Sequence, residues 1–288
     1  MGKRARSIVR KKQRRPIPNS IYLVKKKLST STVTLGCLHP ELGLPALADK
    51  CIDHTITDPP FEPRTHDNRT RLKGKKVIHK EMGFDPIDPA QRAAVAAEIV
   101  RVTRGWALVF CEDTAIKEWQ DDLIRAGASK RITCIWTKPN GAPNHYGTGP
   151  AQPCENIVTV WCGKGKSVWN GGGKMGRYDY PIDIHSRKRE HTTEKPLALM
   201  LQLILDFTMP GQLVCDPYMG SGRTLIACKQ LGREYIGWEI DRKSYKLAEE
   251  RLAVTCEQPI MDQMVRHRVA RKTAFGEAKR NKPKQLTL

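Results

Sequence analysis

Gln212-Leu213-Val214-Cys215-Asp216-Pro217-Tyr218-Met219-Gly220-Ser221-Gly222-Arg223-Thr224 is the stretch that decides the fold. A short apolar run ends at an acid, and two glycines separated by a serine follow it. Periodic apolar positions to about Leu231 then predict an amphipathic helix, and Tyr235 to Trp238 a second strand ending at Glu239. The two glycines let the backbone approach a ligand closely, and the start of the helix offers N–H groups without helical partners. Glu239 lies 19 residues after Gly220, near the spacing of about twenty at which a strand-end carboxylate accepts ribose hydroxyls. Gly-x-Gly by itself is only a tight strand-to-helix turn. Strand, turn, helix, strand and acid together predict a nucleoside site. Leu225 stands where the dinucleotide fingerprint has its third glycine, and the turn carries no Gly-Lys-Ser/Thr for a triphosphate.

Just upstream, Lys195-Pro196 opens a predicted helix from Leu197 to Phe207, proline being suited to a helix's first turn. Just downstream, Asp241 is placed to cap a last helix carrying Tyr245, Ala248 and Leu252 on one face. Much earlier, an extended run from Cys51 ends at Thr57-Asp58-Pro59-Pro60-Phe61. Neither proline has an N–H and each fixes its own φ, so the chain is stiff there, and Asp58 is pushed out of helical geometry by the proline after it. This rigid corner presents a carboxylate, exposed carbonyls and a flat ring, a set that can grip a planar group bearing an NH2.

Between these motifs, helical spacing from Pro89 to Thr103 leads into the buried-type strand Trp106 to Phe110. A helix over 114–126, a strand from Ile132 to Trp136 and another from Ile157 to Cys162 follow. That rhythm predicts a parallel sheet covered by helices. Arg64 to Lys80 reads as a mobile loop with seven cations (Arg64, Arg69, Arg71, Lys73, Lys75, Lys76, Lys80) against the single acid Asp67. From Gly163 to His191, glycines and cations interleave with Trp169, Tyr178 and Tyr180, a composition that suits nucleotide contact. Arg187 and Arg189, at its end, are able to make bidentate contacts to guanine.

The 288 residues carry a formal charge of +20, and its placement is uneven. Residues 1–30 hold +11 and residues 264–288 hold +7, leaving +2 for the rest. A nearly neutral core between cationic ends predicts polyanion binding through those ends. Nine cysteines without a Cys-x-x-Cys pair, and no apolar run after the basic start, fit a reduced, intracellular setting. The most apolar window, Leu197 to Met209, is interrupted by Gln202 and Asp206, so no membrane span is expected.

Asp216-Pro217-Tyr218-Met219-Gly220-Ser221-Gly222, the Lys195-Pro196 helix before it and Asp58-Pro59-Pro60-Phe61 upstream resemble the amino-group (N6-adenine/N4-cytosine) DNA methyltransferases. The order, catalytic corner first and cofactor loop last, is similar to the permuted beta class. Trp136-Thr137-Lys138-Pro139-Asn140, with the later Glu155, looks like that family's strand lining the base pocket.

The resemblance implies an α/β, Rossmann-like methyltransferase fold, a mostly parallel sheet with helices on both faces. Residues 1–30 read as a basic, disordered arm and 261–288 as a basic tail, and between them the resemblance implies a methyltransferase domain over 31–260. Within that domain it implies a catalytic half to residue 162, a DNA-contact excursion over 163–192 and a cofactor half from 193.

It further implies S-adenosylmethionine as cofactor, held by Asp216, Pro217, Gly220, Ser221, Gly222 and Thr224, with Glu239 on the ribose and Lys195 and Pro196 at the methionine end. Asp58, Pro59, Pro60 and Phe61 would form the target-base site, and the basic residues from Arg64 to Lys76, with Arg187 and Arg189, would contact DNA. A homodimer is compatible with it. Departures from the family pattern are Arg223 in place of a common Thr, Cys37 in place of a common Asp, and His54 in a strand that is normally more apolar. Asp58 leans the resemblance towards adenine, since cytosine members often have Ser there. N4-cytosine, an RNA substrate and a catalytically silent nucleic-acid-binding relative stay open.

Overall fold

A computed structural model of the protein describes residues 40–61, 86–144, 149–183 and 194–256, together with the backbones of strands at 23–28, 31–36, 70–73 and 76–79. In chain order the strands are β1 (Leu23–Leu28), β2 (Ser31–Gly36), β3 (His54–Thr57), β4 (Thr70–Lys73), β5 (Lys76–His79), β6 (Trp106–Cys111), β7 (Ser129–Lys130), β8 (Cys134–Thr137), β9 (Cys154–Trp161), β10 (Arg177–Asp179), β11 (Leu213–Asp216) and β12 (Glu234–Trp238). The helices are a short turn α1 (Pro40–Gly43), α2 (Pro89–Val102), α3 (Ile116–Arg125), α4 (Leu197–Phe207), α5 (Arg223–Gln230) and α6 (Arg242–Val254).

All strands but β4 and β5 join one sheet, in the order β1-β2-β12-β11-β3-β6-β9-β8-β10 with β7 beside β9. Its centre is parallel: β2, β12, β11, β3 and β6 run the same way. Strand β6 shows how the two faces are made. Trp106, Leu108 and Phe110 pack with α4, α5 and α6, whereas Ala107, Val109 and Cys111 pack with α2 and α3. Period-two alternation in a strand buried on both sides produces this division.

Helix ends are set by local chemistry. Asp88 accepts from the backbone N–H of Ala90 and Gln91 at 2.8 and 2.9 Å, and Gln91 Oε1 accepts from Asp88 N at 3.2 Å. This capping box, with Pro89 in the first turn, starts α2 and is worth about 1 kcal/mol. Asp241 caps α6 by accepting from Ser244 N at 2.9 Å.

The topology splits between β3 and β11. From β3 the chain crosses through α2 on one face to β6; from β11 it crosses through α5 on the opposite face to β12. In an open α/β sheet, ligands bind in the crevice beyond the carboxyl ends of strands at such a reversal. Asp58 follows β3 and Asp216 ends β11, so both acids stand at that crevice.

Several expectations need correction. The arm expected over residues 1–30 contains β1, which pairs antiparallel with β2 from Leu23↔Gly36 to Leu28↔Ser31. Three consecutive lysines conceal a strand from a reading based on charge, although lysine is common on sheet edges. The loop expected from Arg64 to Lys80 contains the hairpin β4–β5, with Lys73 opposite Lys76. Two residues beginning with Gly74 separate its strands, which is a hairpin signal that the run of cations obscures.

Strand β9 is antiparallel to both β6 and β8. Among the described residues, no crossover helix lies between β8 and β9, so the chain returns directly. The aromatics of the 163–191 segment also turn inward. Tyr178 is buried and donates to Asp206 at 3.0 Å, so its ring is not presented for stacking on a base, and the half-buried Trp169 stands edge-on to Phe207.

Candidate active site

His54 opens the strand that leads to the corner, and its neighbours explain an imidazole there. Nδ1 accepts from Trp106 N at 3.0 Å, and Nε2 lies 2.9 Å from Gln212 Oε1, to which it donates. Burial holds the imidazole below its usual pKa, and this hydrogen-bond pattern requires the neutral ring. It therefore ties β3 to β6 and to the residue before β11.

Beyond Thr57 the chain enters the two prolines and leaves sheet pairing. Asp58 Oδ1 is buried and accepts no hydrogen bond from any described residue. The other oxygen, Oδ2, is 2.5 Å from the ammonium of Lys195. Lys195 also approaches Glu155 Oε2 at 3.1 Å, and Glu155 Oε1 accepts from Lys138 at 2.6 Å. Two carboxylates and two ammoniums thus form one cluster. Burial, followed by the charge of Glu155, raises the pKa of Asp58 against the pull of Lys195. Burial acts upward on Glu155 as well, but the ammoniums of Lys195 and Lys138 overcome it and hold that carboxyl below its ordinary range. Lys195 itself is held above the ordinary lysine value, its two carboxylates offsetting burial.

The glycine turn sits across the crevice. Gly220 has φ +51°, and a Cβ added there would meet nothing within 4 Å. Gly222 has φ +84°, and a Cβ there would stand 2.8 Å from Ala248 Cβ. One glycine therefore serves the open side of the turn, and the other lets α5 pack on α6. Glu239 Oε2 accepts from Gly220 N at 2.9 Å and Oε1 from Asp241 N at 2.7 Å. These bonds aim the carboxylate beside the turn.

Asp216 is buried, and its two oxygens accept from Thr57 Oγ1 at 2.8 Å and Thr224 Oγ1 at 2.6 Å. Burial pushes its pKa up to about 7 even so, because those bonds and the Tyr218 N–H only partly offset desolvation. The Thr57 bond joins the Asp58 corner to the strand end that leads into the glycine turn.

Sequence reasoning missed Glu194. Its carboxylate accepts from Ser221 Oγ and from Arg251, and from Arg223 Nη2 at 2.8 Å. Burial acts to raise its pKa, but these three donors bring it down to about 2. Arg223, the departure from the family's Thr, thus has a partner of opposite charge. Ser221 and Thr224 spend their hydroxyls on Glu194 and Asp216. The available signal was a charge adjoining Lys195-Pro196, which does not say what it pairs with.

Of the residues singled out in the sequence, Asp58, Pro59, Pro60, Phe61, Lys195, Pro196, Asp216, Pro217, Gly220, Ser221, Gly222, Thr224 and Glu239 all lie among the described residues, and Lys195 touches Asp58. Of the basic residues, Arg71, Lys73 and Lys76 are on the β4–β5 hairpin. Arg64, Arg69, Lys75, Lys80, Arg187, Arg189 and Cys37 lie outside the described residues.

A family model described as DNA methylase (N6_N4_Mtase) matches residues 52–250, which include both acids, the glycine turn and Glu239. The chain belongs to this DNA methylase family. The putative methylase YubD of Escherichia coli (strain K12) is 44% identical over 207 residues, covering 70% of this chain and 82% of that protein. Type II methyltransferase M.HinfI of Haemophilus influenzae is 33% identical over 139 residues, 41% of this chain and only 38% of that relative's length. The crystal structure of the M1.HpyAVI–SAM complex is similar at a TM-score of 0.57 and 26% identity, covering 72% of this chain and 90% of that one. The expected α/β methyltransferase fold, with a mostly parallel sheet and helices on both faces, is thus borne out. Among the described residues of this DNA methylase, no helix is long and apolar enough to cross a membrane.

Proposed function

We propose that this DNA methylase uses S-adenosylmethionine to methylate the N6 amine of adenine in DNA. The observation that carries the reading is Asp58 Oδ1, a buried acceptor without a protein partner among the described residues, at the β3/β11 crevice. Leaving such an oxygen unpaired costs about 1–3 kcal/mol, and an amine N–H placed there removes that cost.

The turn fits the cofactor. Gly220 leaves open space at its Cβ position, Glu239 is aimed beside it, and Asp216 supports the loop from below. Gly220, Gly222 and Asp216, with Pro217, Ser221 and Thr224 shaping the turn, would hold the methionine part, and Glu239 the ribose. S-adenosylmethionine supplies a methyl group made electrophilic by a positively charged sulfur.

Asp58 Oδ1 and the Pro59 carbonyl would accept the two N–H bonds of the target amine. An exocyclic amine is a weak nucleophile because its lone pair is delocalised into the ring, and two acceptors favour the pyramidal form that exposes it. The charge of Asp58 then stabilises the positive nitrogen that develops, in a site shielded from water. Oδ1 takes the proton that the methylated nitrogen releases, leaving a neutral carboxyl group. A stacked base is out of reach, so it must leave the duplex, at a cost of a few kcal/mol. Stacking on Phe61 returns about 1–3 kcal/mol. Arg71, Lys73 and Lys76 of the hairpin, the other cations of 64–80, Arg187, Arg189 and the basic ends would bind phosphate or guanine.

Asp at position 58 supports adenine over cytosine, through the family resemblance. The test is incubation with DNA, and separately with RNA, in the presence of labelled S-adenosylmethionine, followed by digestion to nucleosides and identification of the methylated base by mass. N6-methyladenine is the expected product; N4-methylcytosine, or label only in RNA, overturns the assignment.

A further inference from the structure

The resemblance implies that Lys195 closes the methionine end of the cofactor site, but its ammonium is directed elsewhere. Its side chain is 7% exposed. It lies 2.5 Å from Asp58 Oδ2, 3.1 Å from Glu155 Oε2, and 5.1 and 5.9 Å from the ring centroids of Phe110 and Phe61. A buried cation with two carboxylates and two ring faces around it is fully engaged within the corner.

We propose that Lys195 is a positioning residue for the acceptor carboxylate of Asp58, locking Oδ2 so that Oδ1 alone meets the target amine. This rests on the reading of Asp58 as the amine acceptor.

Lys195 acts on Asp58 through orientation and through charge. A free carboxylate turns about its last bond and offers either oxygen. A charge-assisted bond to Oδ2 removes that freedom and leaves Oδ1 as the one oxygen of the pair without a partner among the described residues. Charge acts on the same oxygen pair. The titratable groups facing Asp58 are Lys195 ahead of α4, Glu155 on β9, Lys138 after β8, Asp216 on β11 and Cys111 on β6. Glu155 and Asp216 favour the neutral carboxyl, which cannot accept as strongly. Lys195 is the close cation that opposes them, while Lys138 is paired with Glu155. Glu155 has a second task, since it shares the ammonium with Asp58 and prevents it from neutralising Asp58 too completely.

The neighbouring residue extends the device. Glu194 is clamped to Ser221 and Arg223 of the cofactor turn and to Arg251 of α6. Residues 194 and 195 therefore fasten the same backbone segment to the cofactor turn on one side and to Asp58 on the other. The position of Lys195 is fixed by the loop assigned to the methyl donor, which aligns acceptor and donor through a single dipeptide.

The test compares full-length wild type with Lys195→Met. Cofactor affinity is measured by calorimetry, and kcat is followed across about pH 5–9 with saturating DNA and cofactor. Without Lys195, burial and Glu155 act on Asp58 against the weaker pull of Lys138, so its ionisation moves to higher pH. The expected result is an acid limb displaced upward by about one pH unit or more, kcat at neutral pH down about tenfold or more, and cofactor Kd within about twofold of wild type. Lys195→Arg, which keeps a cation, should restore much of the acid limb.

A Kd weakened about tenfold with an unmoved acid limb and unchanged saturating kcat would make Lys195 a cofactor ligand and overturn the proposal. Should Lys195→Met not fold, Glu155→Gln decides. Removing the carboxylate that pushes Asp58 upward must shift the acid limb down, and an unmoved limb overturns the role given to charge. Asp58→Asn is measured in parallel. If it still transfers methyl groups, the acceptor reading of Asp58 itself has failed, independently of Lys195.

Discussion

Thr57 Oγ1 donates a 2.8 Å hydrogen bond to Asp216 Oδ1, joining the last residue of β3 to the last residue of β11. The two motifs that define the site, 158 residues apart from Asp58 to Asp216, therefore share a buried bond at the point where the sheet reverses. Replacing Thr57 by valine keeps the shape and removes the donor. Asp216 Oδ1 then retains only the Tyr218 N–H at 3.2 Å. Thr57→Val should lower unfolding stability by about 1–2 kcal/mol, read from the urea midpoint at neutral pH. An unchanged midpoint would show that the link carries no energy.

The acids of the site make opposite contributions to stability as pH changes. Asp216 is raised from 3.8 to about 7. Its contribution is fully present below the unfolded value of 3.8 and is lost as pH rises through about 7. Glu194 is lowered from 4.5 to about 2, so its contribution is present above 4.5 and lost as pH falls through about 2. Without cofactor, stability should decline from about pH 4 to about pH 7, with a slope approaching roughly 1.4 kcal/mol per pH unit between those limits. Asp216→Asn should flatten that decline, and Glu194→Gln should leave it in place while weakening the acid-side dependence. Thermal unfolding across this range checks both.

The two glycines of the turn separate ligand space from packing. Gly222→Val forces a branched side chain into a left-handed backbone and against Ala248, so the variant should lose several kcal/mol and a large part of its thermal stability. Gly220→Ala has free space around its Cβ and bears only the backbone cost of φ +51°, about 1–2 kcal/mol. It should fold and yet bind S-adenosylmethionine more weakly. Calorimetry on the folded Gly220→Ala variant is the check; wild-type affinity would remove Gly220 from the cofactor's approach.

What the sequence discloses and what it withholds follow the range of the interactions. The turn from Asp216 to Gly222, the Asp241 cap and the alternation of β6 are local patterns, and each is readable residue by residue. The antiparallel return of β9 is not, because it depends on a missing crossover helix rather than on the strand itself. Charge hides the strands Leu23–Leu28, Thr70–Lys73 and Lys76–His79, since a run of cations reads as solvated chain. At the site, the corner at Asp58 and the acid at Glu239 are legible from type and spacing. The Lys195–Asp58 pair and the Glu194 clamp are not, because ion pairs across 137 and 57 residues leave no local signature.

DNA affinity should fall steeply with salt, because each phosphate contact by Lys or Arg contributes a slope of about −0.9 to log K against log salt. Charge removal at Arg71, Lys73 and Lys76 together should reduce that slope by up to about three and weaken binding to all sequences alike. Filter binding at several salt concentrations measures it. A slope that does not change would take the hairpin out of the DNA interface.

The role of Asp58 is tested most directly by a single-turnover assay of Asp58→Asn with duplex DNA and labelled S-adenosylmethionine, alongside cofactor calorimetry. Cofactor affinity should survive, because Gly220, Asp216 and Glu239 are untouched, while label transferred to adenine falls by at least about a hundredfold. Transfer near the wild-type rate by this variant would contradict the role assigned to Asp58.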